Sequence, residues 1–340
     1  MKDIRIAARE HMKGHCRICP LCDGRACAGE VPGMGGLNTG ATFRNNISAL
    51  ARVHINMQLI HAIEAPDTST SFLGQPLRFP LLAAPIGGVA FNMGTALSEE
   101  EYALAIVQGS LQAGIIPCTG DGVPDNIHQA GFAAIRAAGG HGIPYIKPWE
   151  DPELTQKLDG ALATGAKIIG MDIDAAGLIT LRKMGRPVSP KNLSALRKII
   201  DHLHTAGAAF ILKGVMTPQD ALLAAEAGAD ALVVSNHGGR VLDHCPGTAA
   251  VLPAIAAAVR KRLPIVVDGG VRDGVDVLKM LALGADIVSI GRPLAIAAQG
   301  GQAAGVQKFL ELVHAQFTQA MLMTGCQSVK DIDGRRIFSE

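Results

Sequence analysis

From about residue 79 onward, short continuous apolar runs recur along the chain, separated by segments carrying the 3.6-residue period of amphipathic helices. The runs are FPLLAAPIG (79–87), GIIPCTG (114–120), IPYIK (143–147), KIIGMDID (167–174), AFILKG (209–214), ALVVSN (231–236), PIVVDGG (264–270) and DIVSIGR (286–292). A run without alternation is what a parallel strand buried on both faces requires, and the helical segment after it is the covered crossover that parallel pairing demands. Eight strand–helix units are the number that closes a barrel, whereas open doubly wound sheets stop at about five to seven strands. The pattern therefore predicts an α/β fold, a TIM (β/α)₈ barrel. Local signals agree with this period. Ser98 precedes three glutamates as an N-cap, and Thr217-Pro218 with Asp220 opens a helix that ends on Gly228.

Residues 1–45 do not fit the repeat and read as a Cys/Gly-rich N-terminal extension, leaving 46–340 as the barrel domain. Residues 46–78 are expected to lead into the barrel and close its bottom. The longest connection, 175–191, follows the fourth strand; it is expected to lie on the catalytic face as a lid, because loops after barrel strands build that face.

Composition narrows the function without naming it. The 340 residues are 48% hydrophobic and 18% charged, with 40 glycines and a formal net charge of +1. That balance suits a large core with many tight turns. There is no block of Lys/Arg with interleaved aromatics, so neither nucleic acid nor an anionic membrane is an expected partner, and a small-molecule substrate is. No stretch reaches the roughly 18 apolar residues of a membrane span, and the first residues lack a secretory apolar core, so a cytoplasmic location is expected. In that compartment the seven cysteines are expected to be thiols, metal ligands or redox groups.

Catalytic groups in such barrels emerge where the strands end. The fifth strand ends in Lys213, the sixth in Ser235-Asn236-His237-Gly238-Gly239-Arg240, the seventh in Asp268-Gly269-Gly270-Val271-Arg272 and the eighth in Gly291-Arg292. Glycines and arginines after the last two strands suit a phosphate, which is held by backbone amides and guanidinium groups. Lys213 closes an apolar strand and needs an anionic partner, since an unpaired buried ammonium is costly. A reduced flavin ring supplies such an anion; a structural ion pair is the competing reading. His237 reads as a general base, with Arg240 close enough to clamp a carboxylate and Asp174 able to accept the other ring N–H. The competing reading of His237 is a satisfied core imidazole.

The stretch VVSNHGGRVLDHCPGTAAVLPAI, followed by VVDGGVRDGVDVLKMLALGADIVSIGRP, closely resembles the FMN-dependent 2-hydroxy acid dehydrogenase/oxidase family, which includes glycolate oxidase, lactate oxidase and flavocytochrome b2. The likeness is dense from Lys213 to Cys326 and fainter through earlier segments such as MDIDAAG. It implies that FMN is the cofactor, with Ala84, Pro85, Ile86, Thr119, Asp172, Lys213 and Ser235 around its ring. It further implies Asp268, Gly269, Gly270, Arg272, Gly291 and Arg292 at its phosphate, and Asp174, His237 and Arg240 as the substrate machinery. The implied reaction oxidises a lactate-like or glycolate-like 2-hydroxy acid to its 2-oxo product, in a homo-oligomer of four or more chains. The electron acceptor is not legible.

Several positions depart from the resemblance. The chain has two tyrosines, Tyr102 and Tyr145, where the family places one in the N-terminal segment and another after the third strand. Lys147 stands near the second, Asp172 replaces a usual threonine, and Arg182 is one position away from a second family arginine. These departures motivate an alternative, an FMN-dependent isomerase or reductase like type 2 isopentenyl-diphosphate isomerase. A flavin-free barrel resembling inosine monophosphate dehydrogenase lacks its catalytic cysteine here. Finally, Cys16, Cys19, Cys22 and Cys27 form C-x2-C-x2-C-x4-C, a ligand set for a [4Fe-4S] cluster or zinc that is foreign to the flavin family. A cluster there would give electrons an exit other than oxygen. Of the other three, Cys118 lies nearest the expected flavin.

Overall fold

A computed structural model describes residues 1–339 apart from 179, 180, 182, 260 and 261. Arg182 thus lies outside the described residues. The eight expected strands are all present: β1 (Leu81–Ala83), β2 (Ile116–Thr119), β3 (Ile143–Ile146), β4 (Ile168–Asp172), β5 (Ala209–Val215), β6 (Ala231–Val234), β7 (Ile265–Val267) and β8 (Ile287–Ile290). They form a closed parallel barrel in chain order, sealed by β8 pairing with β1. Their side chains are buried almost without exception, which explains the unbroken apolar runs.

The helix after β1, Glu99–Gln112, opens with the capping box read from the sequence: Ser98 accepts from the Glu101 amide and Glu101 from the Ser98 amide. The helix after β5, Pro218–Ala227, starts on Thr217 and ends on Gly228 in the left-handed conformation.

The extension is docked rather than loose. Its helix Lys2–His11 packs on the helical run Arg292–Met323, and His11 Nδ1 lies 2.6 Å from the Gln299 carbonyl. The lead-in divides between the two ends of the barrel. A hairpin, Thr70–Phe72 with Gln75–Leu77, and Arg78, whose amide donates to Gly114, sit where β2 begins. The helix Ala41–Ala51 instead lies at the opposite, catalytic end. Thr42, Asn45 and Asn46 bond there to Leu242, Cys245 and Asn236. Those hydrogen bonds, about 200 residues apart in sequence, decide a placement that local pattern could not.

Candidate active site

A cavity of about 240 Å³ opens at the C-terminal ends of the strands. Its floor and one wall come from the expected residues: Ala84, Pro85 and Ile86 after β1, Asp172 ending β4, Lys213 in β5, and His237 and Arg240 after β6. The far end is built by Asp268, Gly269, Gly270 and Arg272 after β7, with Gly291 and Arg292 after β8.

His237 and Asp174 come together. His237 Nδ1 lies 3.0 Å from Asp174 Oδ1, which fixes the ring and leaves Nε2 for chemistry. Two local features make this approach possible. Residue 237 takes φ 54°, a conformation costly for a non-glycine residue and typical of functional sites. Gly214 has φ 105° at a register shift between β5 and β6, and a Cβ there would stand 2.6 Å from the Asp174 side chain. Asp174 itself supports the imidazole without lining the cavity.

Lys213 lies opposite Asp172 in the β4–β5 register, and its ammonium is 3.0 Å from Asp172 Oδ1. Lys147 approaches the other oxygen at 3.9 Å. Burial works against the Asp172 charge, but Lys213, His237 and Lys147 outweigh it and hold the carboxyl below its usual range. Burial likewise disfavours the Lys213 ammonium, and Asp172, Asp174 and Asp268 reverse this, raising its pKa. Lys213 is thus ion-paired with Asp172 and also lines the cavity.

The glycine–arginine end fits a phosphate. Gly269 and Gly270 have φ of 96° and 90°, and the helix Ala41–Ala51 presses so closely that an added Cβ at Gly270 would meet the Asn46 carbonyl at 2.7 Å. Arg272 Nε is buried without a hydrogen-bond partner. Among the described residues no carboxylate pairs with Arg240, Arg272 or Arg292. Arg292 bonds carbonyls of Met34, Gly35 and Gly238 and lies over the Phe43 ring at 3.9 Å. Burial, with repulsion from Arg240 and Arg272, brings its pKa down to about 9. Such uncompensated positive charge is what a phosphate dianion relieves.

Other expected residues stand back from the cavity. Ser235 is fully buried, donates to Asp268 at 2.9 Å and accepts from the His237 amide, so it positions the histidine. Thr119 packs against Gly131, away from the main cavity, and Cys118 is buried beside it with its thiol pushed up by burial. Cys16, Cys19, Cys22 and Cys27 line a separate small cavity. Arg240 donates to the Gly33 carbonyl and, at 2.8 Å, to Asn92 Oδ1.

Sequence reasoning expected the 175–191 connection over the site but missed the residues that join it there. Val31, Pro32 and Met34 of the extension, with Phe91, Leu178, Leu181 and Met184, give the mouth an apolar wall. The last three belong to the 175–191 connection. Both tyrosines are buried in the protein body: Tyr145 packs on Gly170 and Tyr102 lies in the helix after β1. Asn46 was also missed; it exchanges hydrogen bonds of 2.9 Å with Asn236 and accepts from the Thr248 amide. A lone Asn-Asn pair near residue 46 carried no signal that could have revealed this.

A closed barrel with glycines and arginines gathered after β7 and β8, a lysine in β5 and a histidine–aspartate pair at its mouth fits an enzyme that anchors a phosphate-bearing cofactor. The chain belongs to the FMN-dependent dehydrogenase family, which matches residues 33–203 and 182–339. It is 34% identical to an L-lactate oxidase of Lacticaseibacillus rhamnosus over 339 residues, covering 89% of this chain and 87% of that protein. It is 30% identical to the peroxisomal (S)-2-hydroxyacid oxidase GLO3 of Arabidopsis thaliana, covering 90% of each. Among solved structures it resembles mandelate oxidase with benzoyl-formic acid at a TM-score of 0.80 and 27% identity, over 100% of this chain and 97% of that one. A mandelate oxidase mutant with the C4a-OH-FMN adduct gives 0.77 at 25% identity, over 99% and 98%. The protein is an FMN-dependent oxidoreductase of the 2-hydroxy acid oxidase/dehydrogenase class. These relatives favour oxidation over the isomerase or reductase alternative.

Proposed function

We propose that the protein oxidises a small 2-hydroxy acid with an apolar side chain to its 2-oxo acid, with His237 as general base. The observation that carries this reading is the His237–Asp174 pair at 3.0 Å, facing a cavity that also holds Arg240 and Lys147. Asp174 keeps the Nδ1 proton in place, so that Nε2 is free to take a proton from the substrate. Part of the Arg240 donor fork remains unused after its bonds to Gly33 and Asn92, and is available to a substrate carboxylate. The apolar wall from Val31 to Met184 suits the rest of the substrate and keeps water out.

Ala84 to Ile86 and Lys213 would hold the ring of FMN; Gly269, Gly270, Arg272, Gly291 and Arg292 would hold its phosphate. When bound, FMN supplies the two-electron acceptor. A cytoplasmic homo-oligomer of four or more chains completes the reading. The exposed apolar run Met57, Leu59 and Ile60 supports self-association.

Protein purified without oxygen is expected to show flavin bands near 370 and 450 nm. Addition of lactate or a longer aliphatic 2-hydroxy acid should bleach them and yield one 2-oxo acid per flavin. A flavin that dithionite bleaches but no 2-hydroxy acid does would overturn the proposal. His237→Ala should bind FMN normally and lose this substrate bleaching.

A further inference from the structure

The cysteine cavity and the flavin cavity share walls. Cys16, Cys19, Cys22 and Cys27 line one small cavity together with Met34 and Arg292, and those last two residues also line the flavin cavity. Arg272, another residue of the flavin cavity, donates from Nη2 to the Cys22 carbonyl at 3.2 Å and reaches its Sγ at 3.7 Å. At these points a single side chain separates the two spaces.

The thiols sit in a built cage rather than a loose tail. All four are free and partly buried. The loop between the first two is pinned by Arg5, which donates to the Ile18 and Cys19 carbonyls at 3.3 and 2.7 Å, and by Arg9, which donates to Ile18 at 3.1 Å. Ile18 itself is buried and takes φ 48°. The Cys22 and Met34 carbonyls brace the arginines of the anion cradle, but the four thiols themselves take no part in the cradle or in the histidine–aspartate pair.

We infer that the cage holds a [4Fe-4S] cluster ligated by Cys16, Cys19, Cys22 and Cys27, which passes electrons from the flavin site to a one-electron carrier protein. Two observations favour this cluster over a single zinc ion. The compact C-x2-C-x2-C spacing lacks the long loop that separates the two pairs of a structural zinc site. Lastly, Arg272 and Arg292 bring positive charge, unpaired with any carboxylate among the described residues, to the wall of a cage whose four thiolates make the cluster anionic.

The electron route rests on the proposed oxidation; the metal site does not. Each turnover converts the 2-hydroxy acid to the 2-oxo acid and releases two electrons and two protons. With both groups in place, FMN would take the electrons as a pair and the cluster would pass them singly to two molecules of the carrier, while the protons pass to solvent.

The test uses the whole enzyme purified without oxygen. Metal and sulfide analysis should give about four iron and four sulfide per chain, and dithionite should produce the low-temperature paramagnetic resonance signal of a reduced cluster. Rapid-freeze samples mixed with the 2-hydroxy acid should show that signal within the turnover time. The double variant Cys19→Ser, Cys22→Ser should lose the iron while keeping FMN and its bleaching by substrate. One zinc per chain, or no metal, would overturn the cluster. A cluster that stays oxidised while the flavin bleaches would overturn the electron route. If no 2-hydroxy acid bleaches the flavin, the oxidation reading fails by itself, and the iron and sulfide content still decides the site.

Discussion

Lys213 and Asp172 lie side by side on adjacent strands, and each tolerates burial because the other is 3.0 Å away. Removing one partner of such a pair leaves a buried charge, at a cost of about 3–5 kcal/mol. Lys213→Met should lower stability by that order in urea unfolding, and adding Asp172→Asn should recover most of it. No recovery in the double variant would show that Lys213 acts through other contacts. With FMN bound, Lys213→Met should also lower the flavin's reduction potential, because a fixed cation near the ring is gone. In the proposed reaction Asp174 acts on the substrate only through His237, which it contacts at 3.0 Å. Asp174→Asn should therefore cut kcat about a hundredfold while leaving FMN bound. Equal loss of flavin would instead give Asp174 a structural role.

At the scale of elements, the helix Gly274–Ala282 follows the phosphate glycines directly. Asp273 caps it by accepting from the Asp276 amide, and the Asp276 carboxylate accepts from the Arg272 amide at 2.9 Å. Burial, with repulsion from Asp273, pushes the Asp276 pKa up to about 6. A carboxyl whose pKa rises on folding favours the folded state while protonated. That contribution is complete below the ordinary carboxylate range and is lost as pH rises through about 6. Asp276→Asn keeps the acceptor and removes the charge, so it should stabilise the protein at pH 7.5 by roughly 1–2 kcal/mol and much less at pH 5. A benefit that does not change with pH would contradict the assignment.

For the whole molecule, the anion cradle ties three parts of the chain together: Arg272 and Arg292 from the barrel, the helix Ala41–Ala51 pressed on Gly270, and the extension bonded to Arg272 and Arg292. A phosphate there should stabilise the entire assembly. FMN at a hundredfold its Kd should raise stability by about 2.7 kcal/mol, and the thermal midpoint with it. Riboflavin, which lacks the phosphate, should give a far smaller shift at equal concentration. Equal shifts from both would place the main anchor at the ring instead.

Much of this was legible in the sequence because parallel strands buried on both faces must be continuous apolar runs, and their ends carry the chemistry. The eight strands, the Ser98 and Thr217 caps, and the gathering of Ala84 to Ile86, Lys213, His237, Arg240 and the glycine–arginine loops in one cavity all follow from that rule. Tertiary structure decided what depends on contacts distant along the chain. It brought Asn46 to Asn236, set Asp172 against Lys213, turned Ser235 inward, kept Thr119 away from the cavity and laid residues 31–34 over the mouth. It also put the four cysteines behind Arg292. Periodicity reports which residues share a face of one element, whereas the partners of those faces are chosen only when the barrel closes and the extension docks on it.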